Sequence, residues 1–239
     1  QSFISIDYTI CRTDYLHIAT KTPQNTEDTT LNIKTAKLVT GHKAGLGKPS
    51  KMPGYSTSLP ATACKVGMRL AKVAGSVCAS CYAMKGHYTY PSVKQGLQSR
   101  LEALHNPQWV EGMITLVGHY TDPDDPYFRI HDSGDFQSVE HVLQWVEVAR
   151  ALRWVQFWAP SRERAMVKLA RAMAGDWPDN LVVRLSAPMI GSSLNTDLPT
   201  SSVDASHGQQ CPAPTQGNEC GDCRACWNPK VSNVNYHKH

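Results

Sequence analysis

The sequence predicts an α/β protein, and three observations carry that prediction. Strand-like runs begin at Tyr127 (YFRIHD), Trp154 (WVQFWA) and Leu181 (LVVRLS), each 27 residues after the last. Apolar stripes of helical period fill the gaps between them. Within the runs, one parity is apolar and the other polar, as in a sheet with two different faces. Strand, helix, strand, helix, strand at constant spacing means βαβ units and a parallel sheet, curled into a complete or partial barrel or left open.

Residues 1–60 carry only short apolar runs, with a strand expected around Leu31 to Val39 and a Gly/Pro/Lys-rich loop from Gly41 to Gly54. A loop segment over 41–91 holds three cysteines. Val93, Leu97, Leu101 and Leu104 then recur at helical spacing until Asn106-Pro107 stops them. Trp109, Val110, Met113, Ile114 and Val117 predict a second helix ending near Gly118, followed by a turn segment from Thr121 to Pro126. The regular βαβαβ core covers 127–190. Its helices are the stripe Val139, Val142, Leu143, Val146, Ala149 and Leu152 after Ser138, and the stripe Ala165, Met166, Leu169, Ala170 and Met173 before Gly175. A cysteine-rich segment over 205–239 ends the chain. With 239 residues and 41% hydrophobic content, a single α/β domain with its own core is expected.

Composition narrows the function classes. No stretch nears the roughly 18 uncharged apolar residues of a membrane span, so a soluble, cytoplasmic protein is expected. The net charge of +4, from 24 basic and 20 acidic residues, lacks the footprint of a nucleic-acid binder, and nucleic acid ranks last among the expected partners. None of the ten histidines form an i, i+4 pair of metalloprotease type.

The eight cysteines are the informative minority. A chain this long does not need disulfide staples, which turns attention to metal. Cys211-Pro212, then Cys220-x2-Cys223-x2-Cys226, has the Cys-x2-Cys-x2-Cys run and remote Cys-Pro of bacterial ferredoxins, and predicts a [4Fe-4S] cluster. Structural zinc more often uses knuckles separated by roughly a dozen residues. Cys64-x13-Cys78-x2-Cys81 supplies three thiolates, one short of a closed site: another side chain completes it, or a position stays open for substrate. Buried structural cysteines are the plainer alternative for this group, and the expectation for Cys11.

Polar parity singles out further candidates. Arg129 and His131, Gln156 and Trp158, and Arg184 and Ser186 share one face, while Phe128, Ile130, Val155, Phe157, Val183 and Leu185 share the other. In a barrel the polar face would line a lumen holding a small polar or anionic ligand, with Arg129, Arg184 and Ser186 as binding residues. An internal network pairing the two arginines with Asp132, Asp135 or Glu163 is the alternative. The first strand runs into His131-Asp132-Ser133-Gly134-Asp135-Phe136, where barrel enzymes place functional groups, so His131, Asp132 and Asp135 are the catalytic candidates. Helix capping by Asp135 or Ser138 would explain the same residues.

Cys78-Ala-Ser-Cys81-Tyr82-Ala83, the loop His131 to Phe136, the strand Arg184-Leu-Ser-Ala-Pro188 and the ending Cys220-x2-Cys223-x2-Cys226-Trp227 resemble the gene product 88 family of phage proteins over roughly Asn32 to His239. The cysteine triplet ahead of a (β/α) array more distantly resembles the radical S-adenosylmethionine (SAM) enzymes, although thirteen residues separate Cys64 from Cys78 where those enzymes usually have three. That resemblance implies a radical-SAM-like partial (β/α) barrel with Cys-rich loops. It implies one or two [4Fe-4S] clusters, with SAM as a further cofactor on Ser133, Gly134 and Asp135. A phage origin implies the host cytoplasm. Two functions stand open: redox or radical chemistry on an unknown substrate, and a non-enzymatic electron-transfer or structural iron–sulfur protein with a redox partner. A zinc-binding module ranks behind both.

Overall fold

The computed structural model describes residues 31–238. Seven parallel strands form one sheet: β1 (Tyr55–Ser56), β2 (Tyr127–Arg129), β3 (Gln156–Ser161), β4 (Leu181–Ser186), β5 (Thr200–Val203), β6 (Gln209–Gln210) and β7 (Asn233–Tyr236). Their order is β1-β2-β3-β4-β5-β7-β6, so β1 and β6 are its edges. Register places Arg129 beside Trp158 and Pro160 beside Arg184, which puts these residues on one face. Phe128 pairs with Phe157 on the other.

Helices cover the apolar face. They are α1 (Ile33–Val39), α4 (Trp109–Tyr120), α5 (Val139–Ala151) and α6 (Arg164–Ala174), with the short α2 (Lys65–Leu70) and α3 (Pro91–Ala103) between α1 and α4. Trp145 of α5 lies 5.8 Å from the Phe128 ring and 6.2 Å from that of Phe157. Val142, Val146, Val167 and Ala170 complete this core with Val183 and Leu185. Ser138 starts α5 by accepting a hydrogen bond from the His141 amide, and Gly175 ends α6 at φ 68°.

The segment from Leu31 to Val39 is a helix rather than the expected strand. Asn32 caps it, its side-chain oxygen accepting from the Thr35 amide at 2.9 Å. A Cβ on Gly112 would meet the Val39 and Thr40 side chains at 2.7 Å, so that glycine admits α1 against α4. The Trp109 helix runs past Gly118 to Tyr120, and β3 begins at Gln156, two residues after Trp154.

The polar face is not an empty lumen. The turn Ala225–Trp227 packs on β3 and β4, and Trp227 stands edge-on against Trp158 at 5.1 Å. Cysteine-rich chain thus covers the face that no helix covers. The alternation also breaks at His131: its φ of 61° turns the ring to the helix side, 4.9 Å from Phe136 and 5.3 Å from His141.

Candidate metal centres

The first cysteine group sits at the C-terminal edge of the strands. β1 leads through the turn Ala61–Ala63 to Cys64, which begins α2, and the turn Val77–Ser80 carries Cys78 just before Cys81. Ser76 joins these pieces: its hydroxyl donates to the Leu70 carbonyl at 2.5 Å and accepts from the Ala79 amide at 3.1 Å. A Cβ on Gly67 would lie 3.7 Å from the sulfurs of both Cys64 and Cys78. A glycine inside α2 is disfavoured by about 1 kcal/mol against alanine, and the physical reason for it is the close approach of the Cys64 side chain, whose Cβ would lie 2.9 Å from a Cβ at Gly67.

Charge around these thiols opposes ionisation. Burial pushes Cys64 up to about 12, and Asp135, Cys81, Cys78 and Glu163 push the same way. Burial also raises Cys78, which Arg162 counters. A bound cation would reverse this balance, because it takes thiolates and expels their protons.

The loop after β2 is built into this edge. Ser133 donates its hydroxyl to the Leu59 carbonyl at 2.8 Å. Gly134 has φ 84°, and a Cβ there would be 2.6 Å from that of Leu59. Asp135 accepts from the Ser161 hydroxyl at 2.7 Å and from the Arg162 and Phe136 amides at 2.8 Å each, tying the loops after β2 and β3 together. Burial still raises its carboxyl to about 6, against those hydrogen bonds. Asp132 accepts from Ser56 at 3.1 Å through one oxygen, and its carbonyl accepts from the Tyr82 hydroxyl. Glu163 accepts from the Val66 amide at 2.7 Å, anchoring α2. His131 has no partner for Nδ1 and lines a small cavity with His42, Arg100 and His141.

The second group spans the polar face. The Cys211 amide donates to the Asn235 carbonyl beside β7, and the Cys220 amide donates to the Lys51 carbonyl. Gly221, at φ 49°, supplies the left-handed turn between Cys220 and Cys223. Burial raises Cys220, helped by Cys211 and Cys223. Burial takes Cys226 up to about 11, held back by Tyr236, whose hydroxyl oxygen is 3.0 Å from the sulfur, and by Arg184 and Arg129. The seven described cysteines are free thiols, while Cys11 lies outside the described residues.

Arg184 is fully buried and does not wait for a ligand. Nε donates to the Cys226 carbonyl, Nη1 to those of Thr200 and Val231, and Nη2 to those of Ala225 and Asn228, at 2.7 to 3.2 Å. All five donors of the guanidinium are used within the fold, so a polar or anionic ligand at Arg184 would have to displace one of these carbonyls. Ser186 is likewise occupied, 3.0 Å from the Ser201 hydroxyl. Arg129 stacks on Trp158 at 4.8 Å. Burial works against its charge, yet Tyr82, Asp132, Tyr236 and Cys226 hold it above the ordinary arginine value. It therefore has a neighbour beside each cysteine group: Tyr82, which follows Cys81, and Cys226.

Arg162 and Tyr236 were not singled out from the sequence. Arg162 follows β3 as His131 follows β2, so the strand-end rule could have found it. Nothing near Tyr236 in sequence marks it. Among the described residues, no three His, Cys, Asp or Glu side chains group closely enough to hold one metal ion.

The fold and site define an α/β protein with a parallel sheet that carries one set of cysteines at its C-terminal edge and another across its polar face. The chain belongs to the gene product 88 family, which matches residues 25–229. No curated protein and no solved structure matches it.

Proposed function

We propose that this is a phage iron–sulfur protein on a partly barrel-like (β/α) scaffold, with Cys211, Cys220, Cys223 and Cys226 holding one [4Fe-4S] cluster and Cys64, Cys78 and Cys81 holding a second. One observation carries the reading: neighbouring thiols raise Cys64 and Cys78 in the first group and Cys220 and Cys226 in the second, and in the first group a Cβ at Gly67 would touch both the Cys64 and the Cys78 sulfur at 3.7 Å. In a cubane each thiolate binds its own iron, so its four ligands would stand further apart than those of a single ion.

Such a cluster supplies one-electron transfer. This chain's part is to set its surroundings, with Asp135 and Glu163 negative beside the first group and Arg129 and Arg184 positive beside Cys226. Three thiolates in the first group leave room for a non-protein ligand, which favours SAM or another small polar substrate as a second reading. Asp135 remains its candidate partner, and Arg184 does not.

Anaerobic purification with iron and sulfide analysis tests the first reading. About eight irons with matching sulfide support two clusters, and stoichiometric zinc without sulfide rejects them. Electron paramagnetic resonance with and without SAM separates the enzymatic reading from electron transfer: an unchanged spectrum at millimolar SAM favours the latter.

A further inference from the structure

The net charge of +4 conceals a sharp segregation. Residues 29–101 contain eleven Lys and Arg and no Asp or Glu, whereas the other 166 residues hold 13 basic and all 20 acidic residues. An even distribution would place about six acidic residues in that stretch. The expectation against nucleic acid rested on the total and on the lack of long charge runs, and neither reveals this segregation.

Structure concentrates part of this charge around the first cysteine group. The turn Ala61–Ala63, α2 and the turns carrying Cys78, Tyr82 and His87 pack on one another and on α3 as a cap at the strands' C-terminal edge. Arg69, Lys72 and Lys85 are exposed on it, and Lys94 is exposed in the first turn of α3. Among the described residues the ion pairs are Arg224 with Asp125 and His237 with Asp204, and neither touches the cap. A solvated surface normally intersperses both signs, so an unpaired one-sign patch calls for an anionic partner.

Exposed aromatic side chains alternate with these cations along the same segment. Tyr82 is 54% exposed and Tyr90 is 61% exposed, large values for apolar rings. The Tyr82 hydroxyl is fixed on the Asp132 carbonyl and its ring meets Tyr88 at 5.9 Å, so its exposed face is held in place. Tyr90 lies one helical turn before Lys94. Cations that track a phosphate backbone beside rings on which bases can stack are the requirements of a single-strand surface, because paired bases do not offer their faces.

We infer that the cap formed by Arg69, Lys72, Tyr82, Lys85, Tyr90 and Lys94 binds single-stranded nucleic acid. The inference is independent of the iron–sulfur reading. The test is fluorescence anisotropy of the full chain, purified anaerobically, with a labelled 20-nucleotide oligothymidylate at several salt concentrations. Binding should weaken with salt at a log–log slope near −3, as about four phosphate contacts on a single strand give. Reversing Arg69, Lys72 and Lys85 together to Glu should reduce affinity about 100-fold, while the exposed Lys168→Glu on α6 should leave it unchanged. Tyr90→Ala should cost about tenfold without changing the salt slope, the mark of stacking rather than charge. The inference fails if no binding occurs at 50 mM salt, if Tyr90→Ala is silent, or if Lys168→Glu weakens binding as much as the triple variant. It also fails if a duplex binds as tightly, or if polyglutamate competes as well at equal charge, which would assign the cap to an acidic protein.

Discussion

The two cysteine segments meet the same sheet in opposite ways. The C-terminal one is fastened inside the fold: Arg184 gathers five carbonyls, four of them from 225–231, and Trp227 is buried with its indole N–H donating to the Phe128 carbonyl at 3.1 Å. The first one is a set of short turns at the strand ends, with exposed tyrosines and lysines around half-buried thiols. The difference teaches that the stretch 225–231, with Cys226, is bound up with stability, while the turns around Cys64, Cys78 and Cys81 are arranged for access.

The largest test of that contrast is Arg184→Met. It keeps the volume of the side chain but leaves five buried carbonyls without their donor, at about 1–3 kcal/mol for each one that water cannot reach. A loss of at least about 4 kcal/mol in denaturant unfolding is expected, or insoluble protein. Arg184→Lys should recover little, because an ammonium has three donors and no planar fork. Cys78→Ser should by comparison leave the unfolding midpoint nearly unchanged while lowering iron content. Equal destabilisation by Arg184→Met and Cys78→Ser would abolish the distinction.

Much of this architecture was legible in the sequence, and the failures have physical causes. The strands β2 to β4 and the helices α5 and α6 announced themselves because apolar periodicity marks elements packed on a hydrophobic core. β5 and β7 did not, because their inner contacts are polar: Thr200 donates to Asn233 at 3.0 Å and Ser202 to Asn235 at 2.9 Å. The cysteine spacing showed two groups of thiols, and what they bind is the proposal above. The arginines were readable as a polar face, but Arg184's partners are backbone carbonyls at residues 200 and 225–231, and a carbonyl leaves no trace in side-chain pattern. The same limit hid the role of Ser133, which donates to the Leu59 backbone.

Acid should separate the two segments next. The Thr40 hydroxyl donates to the Ala36 carbonyl, so His42 Nδ1, 3.0 Å away, must donate to Thr40, and Nε2 accepts from Thr57 at 2.8 Å. Burial lowers His42 to about 3, with Arg100 adding to it, and burial lowers His141 likewise to about 3. A depressed histidine gives stability that is complete above the unfolded value near 6.5 and is lost as pH falls toward 3. By pH 5 each of these two histidines should remove roughly 2 kcal/mol. Asp135 opposes them: its folded value of about 6 exceeds its unfolded one, so protonation on acidification returns somewhat over 1 kcal/mol. The net expectation is a lower melting temperature at pH 5 than at pH 7.5, with His42→Gln flattening the dependence. Thr57 and Leu59 line the histidine cavity and lead to Cys64, so hydrogen exchange at pH 5 should rise over 57–90 before it rises over 225–236. The opposite order would place the acid-labile region in the wrong segment.

The smallest effect on stability comes from Gly67→Ala, and it sharpens the comparison most. In an exposed helix interior this change stabilises by about 1 kcal/mol, through propensity and a less free unfolded chain. Here the new Cβ would meet the Cys64 Cβ at 2.9 Å, so part of that gain is spent on a shift of α2. The methyl would also stand 3.7 Å from the sulfurs of Cys64 and Cys78, inside the space that a metal cluster would need. The melting temperature of metal-free protein should therefore change by only a few degrees in either direction. Iron should fall to about half, because the first group loses its share while Cys211, Cys220, Cys223 and Cys226 keep theirs. Oligothymidylate binding should persist, since none of the proposed contacts is altered. Full iron retention in Gly67→Ala would mean that the gap between Cys64 and Cys78 is a packing feature and that the first group is not a cluster site.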